Sequence, residues 1–219
     1  MTVKIICPPR PKSKMLFTDL PYYESTGKWL GQRKFRGSNS VIYISPNREV
    51  MMAGRHGEKF ARAVMGAKQK EEFVTGLRLK PNCEYWFNGE LMNKDVDATN
   101  EIILYDLLHA ERYLFGVTQI DRLEMLGDIC GNPKKLCHSG IALEVTSKIW
   151  LAEVFFSDFV ARFKESLPIQ QLEGLVLRKK LATLDNFGQS EYTTNDLIRC
   201  RKPFMSETVK EGRSGGYEF

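Results

Sequence analysis

The sequence has no stretch near the roughly 18 consecutive apolar residues that a membrane span requires. It has no internal repeat and no low-complexity block. The opening segment, MTVKIICPPRPKSK, places prolines at 8, 9 and 11, where a secretory leader needs its apolar centre. Export is therefore not expected, and an intracellular, cytoplasmic setting is. Cysteine is scarce and odd in number: Cys7, Cys83, Cys130, Cys137 and Cys200 are the five in the chain. Scattered in this way they predict reduced thiols rather than a disulfide framework. Cys130, Cys137 and His138 form no paired Cys-x-x-Cys knuckle, so a structural zinc is not expected. The histidines, His56, His109 and His138, have no recognisable triad partner.

The bulk of the chain is that of an ordinary globular protein, 42% hydrophobic and 27% charged. Its 219 residues suffice for a real core, in one large domain or two small ones. Lys plus Arg exceed Asp plus Glu by 32 to 27, a net charge of +5. That balance suits a phosphate-rich partner without requiring one.

Periodicity sets out the elements. Residues 1–15, rich in Pro and Lys, read as irregular or edge-like, and SVIYIS (40–45) alternates as a strand. GEKFARAVMGAKQKEEFVTGLRL carries Phe60, Ala61, Val64 and Met65 at helical spacing. CEYWFNGELM reads as a strand turning at Asn88-Gly89, NKDVDATN as a polar loop and EIILYDLL as an apolar strand. TQIDRLEMLGDIC and SKIWLAEVFFSDFVARFKESL are periodic enough for helices, with GNPKK a turn between them. LEGLVLRKK and DLIRCRKPF predict two more strands. Residues 1–205 form the expected domain, and 206–219 a short, mobile tail. Strands and helices mix without a βαβ rhythm, which predicts an α+β fold.

One basic segment raises a chemical question. In GQRKFRGSNS, Lys34 sits between Arg33 and Arg36. Either this is a solvated turn, or Lys34 is meant to become a nucleophile. An amine attacks phosphorus only as the free base, and neighbouring cations and partial burial disfavour an ammonium. Arginine suits that role because it stays charged and grips phosphate with a two-point fork. Downstream, strand-like runs carry Glu90, then Tyr105 and Asp106, then Glu173 and Lys179, then Arg199 and Arg201. Rigid strands could aim all of these at one cleft.

In that order, KFRGSN, FNGEL, ILYDLL, EGLVLRK and IRCRKP resemble the collinear motifs of the covalent nucleotidyltransferase superfamily. This superfamily comprises ATP-dependent DNA and RNA ligases and mRNA capping enzymes. EGLVLRK is the most specific single match, and the resemblance covers about residues 30 to 205. KFRGSN resembles the Lys-x-x-Gly-x-Asn variant of phage nick-sealing RNA ligases, and IRCRKPFMSE the end of their catalytic domain. Three positions depart from the pattern. Arg36 stands where Asp or His is usual, and Arg199 and Arg201 replace lysines.

The resemblance implies a nucleotidyltransferase (ATP-grasp-like) domain of antiparallel sheets flanked by helices. An oligonucleotide-binding barrel is not expected after the last motif, since about 18 residues follow Arg201. It implies an ATP-dependent polynucleotide ligase, RNA favoured over DNA, that seals 5′-phosphate/3′-hydroxyl nicks through AMP bound covalently to Lys34. Arg33 and Arg36 would hold the triphosphate, and Arg199 and Arg201 the α-phosphate. Arg55 would grip substrate phosphate, and Asn39 would touch ribose. Glu173 would hold Mg²⁺ or Mn²⁺, with Glu90 helping or binding the ribose hydroxyls. Tyr105 either stacks on adenine or belongs to the core. The expected partner is nicked or broken nucleic acid, gripped by a monomer that either seals ends with little help or relies on an accessory protein in place of the barrel. A phage or viral origin would suit such a domain. The alternatives are a GMP-transferring capping-type enzyme, a catalytically silent relative that binds nucleic-acid ends, and a plain basic scaffold protein.

Overall fold

The computed structural model describes residues 6–58, 65–93, 100–137, 140–184 and 193–203. Its strands are β1 (Arg10–Met15), β2 (Trp29–Phe35), β3 (Ser38–Ile44), β4 (Val50–Gly54), β5 (Tyr85–Leu91), β6 (Ile102–Ala110) and β7 (Arg112–Tyr113). They continue with β8 (Leu136–Cys137), β9 (Ala142–Glu144), β10 (Ile149–Leu151), β11 (Val154–Phe155), β12 (Leu172–Lys179) and β13 (Thr193–Arg201). The α-helices are α1 (Leu20–Ser25), α2 (Ala67–Thr75), α3 (Gln119–Ile129) and α4 (Phe159–Ser166). Two sheets result, in the orders β1-β13-β12-β2-β11 and β4-β3-β5-β6-β10-β9-β8, with β7 beside β6. The architecture is α+β, as the mixed pattern predicts. Among the described residues no helix is long and apolar enough to cross a membrane.

Pairing is antiparallel except for β1 with β13 and β6 with β10, which are parallel. The sheets are thus antiparallel, as expected, with two parallel pairings among them. In both, the partners are far apart in sequence, so no hairpin dictates their direction.

Three other expectations change. The run 147–167 is one helix only from Phe159. Ile149–Leu151 is instead a fully buried strand along β6, and Val154–Phe155 pairs with β2. A short apolar run fits a buried strand as well as a helix, and here neighbouring sheet edges decide. Asn88-Gly89 is no turn: β5 runs straight through it, with a pairing irregularity against β6 at that point. A Cβ on Gly89 would stand 2.8 Å from the Ile103 carbonyl oxygen, so the glycine permits close strand approach. The helix expected from Gly57 begins at Ala67, and Phe60, Ala61 and Val64 lie outside the described residues. So do the loop 94–99 and the tail from 204.

The larger sheet packs its outer face on α2 and α3 around Phe73, Phe87, Leu104 and Leu126. The smaller sheet packs its own against α1 and α4 around Leu20, Phe159, Phe163, Leu175 and Leu177. A third cluster, with Phe35, Ile103, Trp150 and Leu172, joins the sheets at one end of their inner faces.

A buried ionic network also ties the sheets together. Asp106 on β6 is 1% exposed, and Arg122 on α3 and Arg178 on β12 are 1% and 5% exposed. Arg122 donates from Nε to Asp106 Oδ1 at 3.1 Å and from Nη2 to Oδ2 at 3.2 Å. Arg178 Nη1 reaches Oδ2 at 3.4 Å, and Gln119 Nε2 donates to Oδ1 at 3.1 Å. On the smaller sheet, Arg178 Nε donates to Gln32 Oε1 at 2.8 Å, and Gln32 Nε2 donates back to the Tyr105 carbonyl at 3.2 Å. Removing one partner from such a group leaves uncompensated charge in a dry interior.

Asp106→Ala is expected to lower the unfolding free energy by about 3–5 kcal/mol, read from urea midpoints. Lys179→Ala should cost less than about 1 kcal/mol, because its 2.5 Å pair with Asp196 is 43% and 34% exposed. Equal losses from the two variants would remove the Asp106 network from its central place.

Candidate active site

A cleft of about 550 Å³ opens between the inner faces of the two sheets. Strand register builds its floor. Lys34 on β2 pairs with Gly174 on β12, which pairs in turn with Arg201 on β13. The next inward row runs from Gln32 through Val176 to Arg199. Leu175 and Leu177 alternate to the other side and fill the α1/α4 core.

Strict alternation would send Glu173 to that core as well. Instead, the β12–β2 pairing slips between Leu172 and Gly174, the kind of irregularity that re-aims a side chain. Gly174 makes it possible: its φ is +127°, and a Cβ there would stand 2.1 Å from the Cys200 carbonyl oxygen. Glu173 Oε2 consequently accepts Lys34 Nζ at 2.5 Å and lies 3.3 Å from Arg201 Nη2. The Lys34 and Glu173 side chains are each 19% exposed, so they are reachable from the cleft without being bathed in solvent.

The larger sheet supplies the opposite wall. Asn39 on β3 pairs with Glu90 on β5, and Glu90 Oε1 accepts the Gly37 amide at 3.0 Å. Asn39 Nδ2 donates to the Tyr105 hydroxyl oxygen, while Asn39 Oδ1 accepts Arg55 Nε at 3.2 Å. The Arg178 guanidinium lies 5.4 Å from the centre of the Tyr105 ring. Burial, and then the Glu90 charge, push the Tyr105 phenol above its ordinary range, so it keeps its proton. Tyr105 lines the cleft while also touching the core between the sheets.

The cleft is strongly cationic. Arg10, Arg55, Arg178, Arg199 and Arg201 line it with Lys34, against the carboxylates Glu58, Glu90 and Glu173. Burial and then the charges of Arg201, Arg10 and Arg55 push the Arg199 guanidinium down from its usual value. Arg199 Nε is buried without a hydrogen-bond partner. A polyanion would relieve both conditions. For a divalent ion, the cleft offers the carboxylates Glu58, Glu90 and Glu173. Among the described residues no cluster of three or more His, Cys, Asp or Glu could form an all-protein cage. One or two such carboxylates suit Mg²⁺, which completes its shell with substrate phosphate and water. Cys7, Cys83, Cys130 and Cys200 are free thiols, and His138 lies outside the described residues.

The structure thus brings Lys34, Asn39, Arg55, Glu90, Tyr105, Glu173, Arg199 and Arg201 to one cleft. It corrects the reading of the two arginines beside Lys34. Arg33 borders the cleft in the chain, but its side chain turns behind the sheet. There Nη2 meets Glu165 Oε2 at 2.9 Å, and Nη1 points to the Arg162 carbonyl at 3.5 Å. Consecutive strand residues face opposite ways, so Arg33 cannot press on Lys34 from within the cleft. Arg36 follows the end of β2 and lines a separate hollow of about 270 Å³ with Gln170 and Lys202, next to Glu173 and Arg201. Lys179 also turns away, pairing with Asp196 and lying 5.7 Å from the Trp29 ring centre. Gln32, Arg178 and Arg10 are among the lining residues that sequence reading passed over. Counting by twos from Lys34 would have found Gln32, and from Gly174, Arg178.

No protein-family model matches the sequence, and no curated protein matches it either. Solved structures do match. The ligase domain of M. tuberculosis LigD is 14% identical with a TM-score of 0.60, over 90% of this chain and 60% of that one. The mycobacterial DNA ligase D complexed with ATP and MES is also 14% identical, with a TM-score of 0.62 over 92% and 62%. A Lig E DNA ligase structure is 12% identical, with a TM-score of 0.51 over 90% and 70%. The chain spans about 60% of the length of the two mycobacterial structures. It shares its fold with these DNA ligase structures.

Proposed function

We propose that this chain is an ATP-dependent polynucleotide ligase that seals 5′-phosphate/3′-hydroxyl breaks through a lysyl-AMP intermediate on Lys34. The observation that carries the reading is the 2.5 Å contact of Lys34 Nζ with Glu173 Oε2 inside a cleft lined by arginines. An ammonium must lose a proton before its nitrogen can attack, and Glu173 Oε2 is the base placed to take it.

Lys34 Nζ then attacks the α-phosphorus of ATP. A phosphorus–nitrogen bond forms, the bond to the bridging oxygen breaks, and pyrophosphate leaves. Arg201 and Arg199, on the same face of β13, neutralise the α-phosphate. Adenine stacks on Tyr105, and Asn39 and Glu90 meet the ribose. A Mg²⁺ or Mn²⁺ ion held through Glu173 and Glu90 would screen the phosphate charge. In the second step the 5′-phosphate of the broken strand displaces Lys34 from the adenylate, with Arg55 gripping that phosphate. In the third the 3′-hydroxyl attacks the activated phosphate and AMP leaves. Splitting the reaction at a covalent intermediate replaces one high barrier with lower ones.

An RNA strand at the break is the preferred substrate in this reading, on the strength of the Lys-x-x-Gly-x-Asn pattern at Lys34–Asn39. Residues 1–205 then constitute the adenylyltransferase domain. Matched nicked duplexes with DNA or RNA on each side of the break test the preference directly, and sealing confined to all-DNA nicks would reverse it.

Incubation with α-labelled ATP and Mg²⁺ should give an acid-labile, protein-bound AMP that Lys34→Ala abolishes. Label from GTP instead would make the chain a capping-type enzyme, and label from neither, at any pH, a silent relative. A chelator added before ATP should suppress labelling at least tenfold, with recovery on adding Mg²⁺ or Mn²⁺. Tyr105→Ala should raise the KM for ATP about tenfold, since base–aromatic stacking contributes roughly 1–3 kcal/mol. Tyr105→Phe should stay close to the parent. Identical kinetics in the two variants would take adenine off that ring.

A further inference from the structure

The edge strand β1 carries a basic stripe that the proposed chemistry does not use. Its sequence, RPKSKM, has Arg10, Lys12 and Lys14 at alternate positions and no acidic residue. Alternate residues of a strand share a face, and pairing with β13 identifies which one. Met15 pairs with Cys200, and both belong to the core behind the sheet. Lys14 pairs with Arg199, which lines the cleft. Arg10, two steps further back, lines the cleft as well. The β1–β13 register slips between Pro11 and Ser13, but the extra residues lie on β13, between Thr194 and Ile198, so alternation along β1 is kept. Lys12 and Lys14 are exposed. Among the described residues, β1 is the outermost strand of its sheet.

Cations therefore continue from Arg201 and Arg199 at the cleft onto the rim of the sheet. Alternate residues are about 6.6 Å apart along a strand, close to the axial rise of two phosphates in one strand of a duplex. Resting on the ligase reading above, we infer that the β1 stripe, Lys12 and Lys14 beyond Arg10, is a track for the phosphodiester backbone of the nucleic acid leading away from the break. Its contacts are to phosphate, so they position the substrate without reading sequence. Lysines on an edge strand can instead serve only to discourage pairing with another sheet, and that role predicts a different outcome.

The test is binding of a 5′-phosphorylated nicked duplex by fluorescence anisotropy between 50 and 200 mM salt. Lys12→Gln/Lys14→Gln should reduce the slope of log affinity against log salt by about 1.8, some 0.9 per lost phosphate contact. Affinity near 100 mM salt should fall roughly tenfold. Formation of protein-bound AMP from ATP should stay within about twofold, which also certifies the fold. A control, Lys70→Gln on α2, should leave the slope unaltered. An unchanged slope in the double variant, or an equal drop in the control, overturns the track. So does new self-association with unaltered duplex affinity, which would make the lysines guards of the edge. Absence of protein-bound AMP from the parent chain would sink the ligase reading itself, whereas the salt slope judges this surface separately.

Discussion

A carboxylate buried between the two sheets ties them together across the joint beside the cleft. Asp106 sits on the larger sheet and draws in Arg178 from the smaller one and Arg122 from α3. No apolar side chain could do this with the same directionality, since each guanidinium is fixed in both distance and plane. The consequence reaches the cleft directly. Arg178, held by Asp106 and Gln32, presents its flat face to Tyr105, so the ion network inside the joint also shapes the wall of the candidate nucleotide site. Burial pushes the Arg178 guanidinium down and Asp106 opposes it, as expected of a charge that stays inside only because its partner does.

The second constraint is the two-residue period of β2 and β12. It separates Lys34 from Arg33 more sharply than any charge argument could. One faces Glu173 in the cleft and the other faces Glu165 on α4. It also makes the slip at Leu172/Gly174 consequential, because that irregularity brings a residue due for the core into contact with Lys34. The Glu-Gly pair is thus one device. Gly174 takes the backbone where a side chain would collide with Cys200, and Glu173 benefits from the turn.

The cleft and its neighbouring hollow share Glu173 and Arg201 as a common wall. Beyond it, Lys202 Nζ is committed to the carbonyls of Ser166, Leu167 and Ile169 at the end of α4. This cation closes a helix C-terminus, where the exposed carbonyls favour positive charge. The smaller sheet and α4 are therefore fastened at the same corner that positions Glu173.

Much of the cleft was legible in the sequence. Lys34, Glu90, Tyr105, Glu173, Arg199 and Arg201 stand out because each is polar within or beside an apolar strand-like run, and their order along the chain adds a resemblance to one superfamily. The α+β character was legible too, from strands and helices that alternate in no regular rhythm. What local pattern could not settle was direction and partner. Whether Ile149–Leu151 is helix or strand depends on β6 being there to pair with it. Whether Asn88-Gly89 turns depends on β3 and β6 flanking it on both sides. Arg33 reads as part of the site until the fold places α4 behind it. Composition and spacing determine which residues can do the chemistry. Only the tertiary structure decides which of them face one another, because that depends on strand register and on what packs against the far side of each sheet.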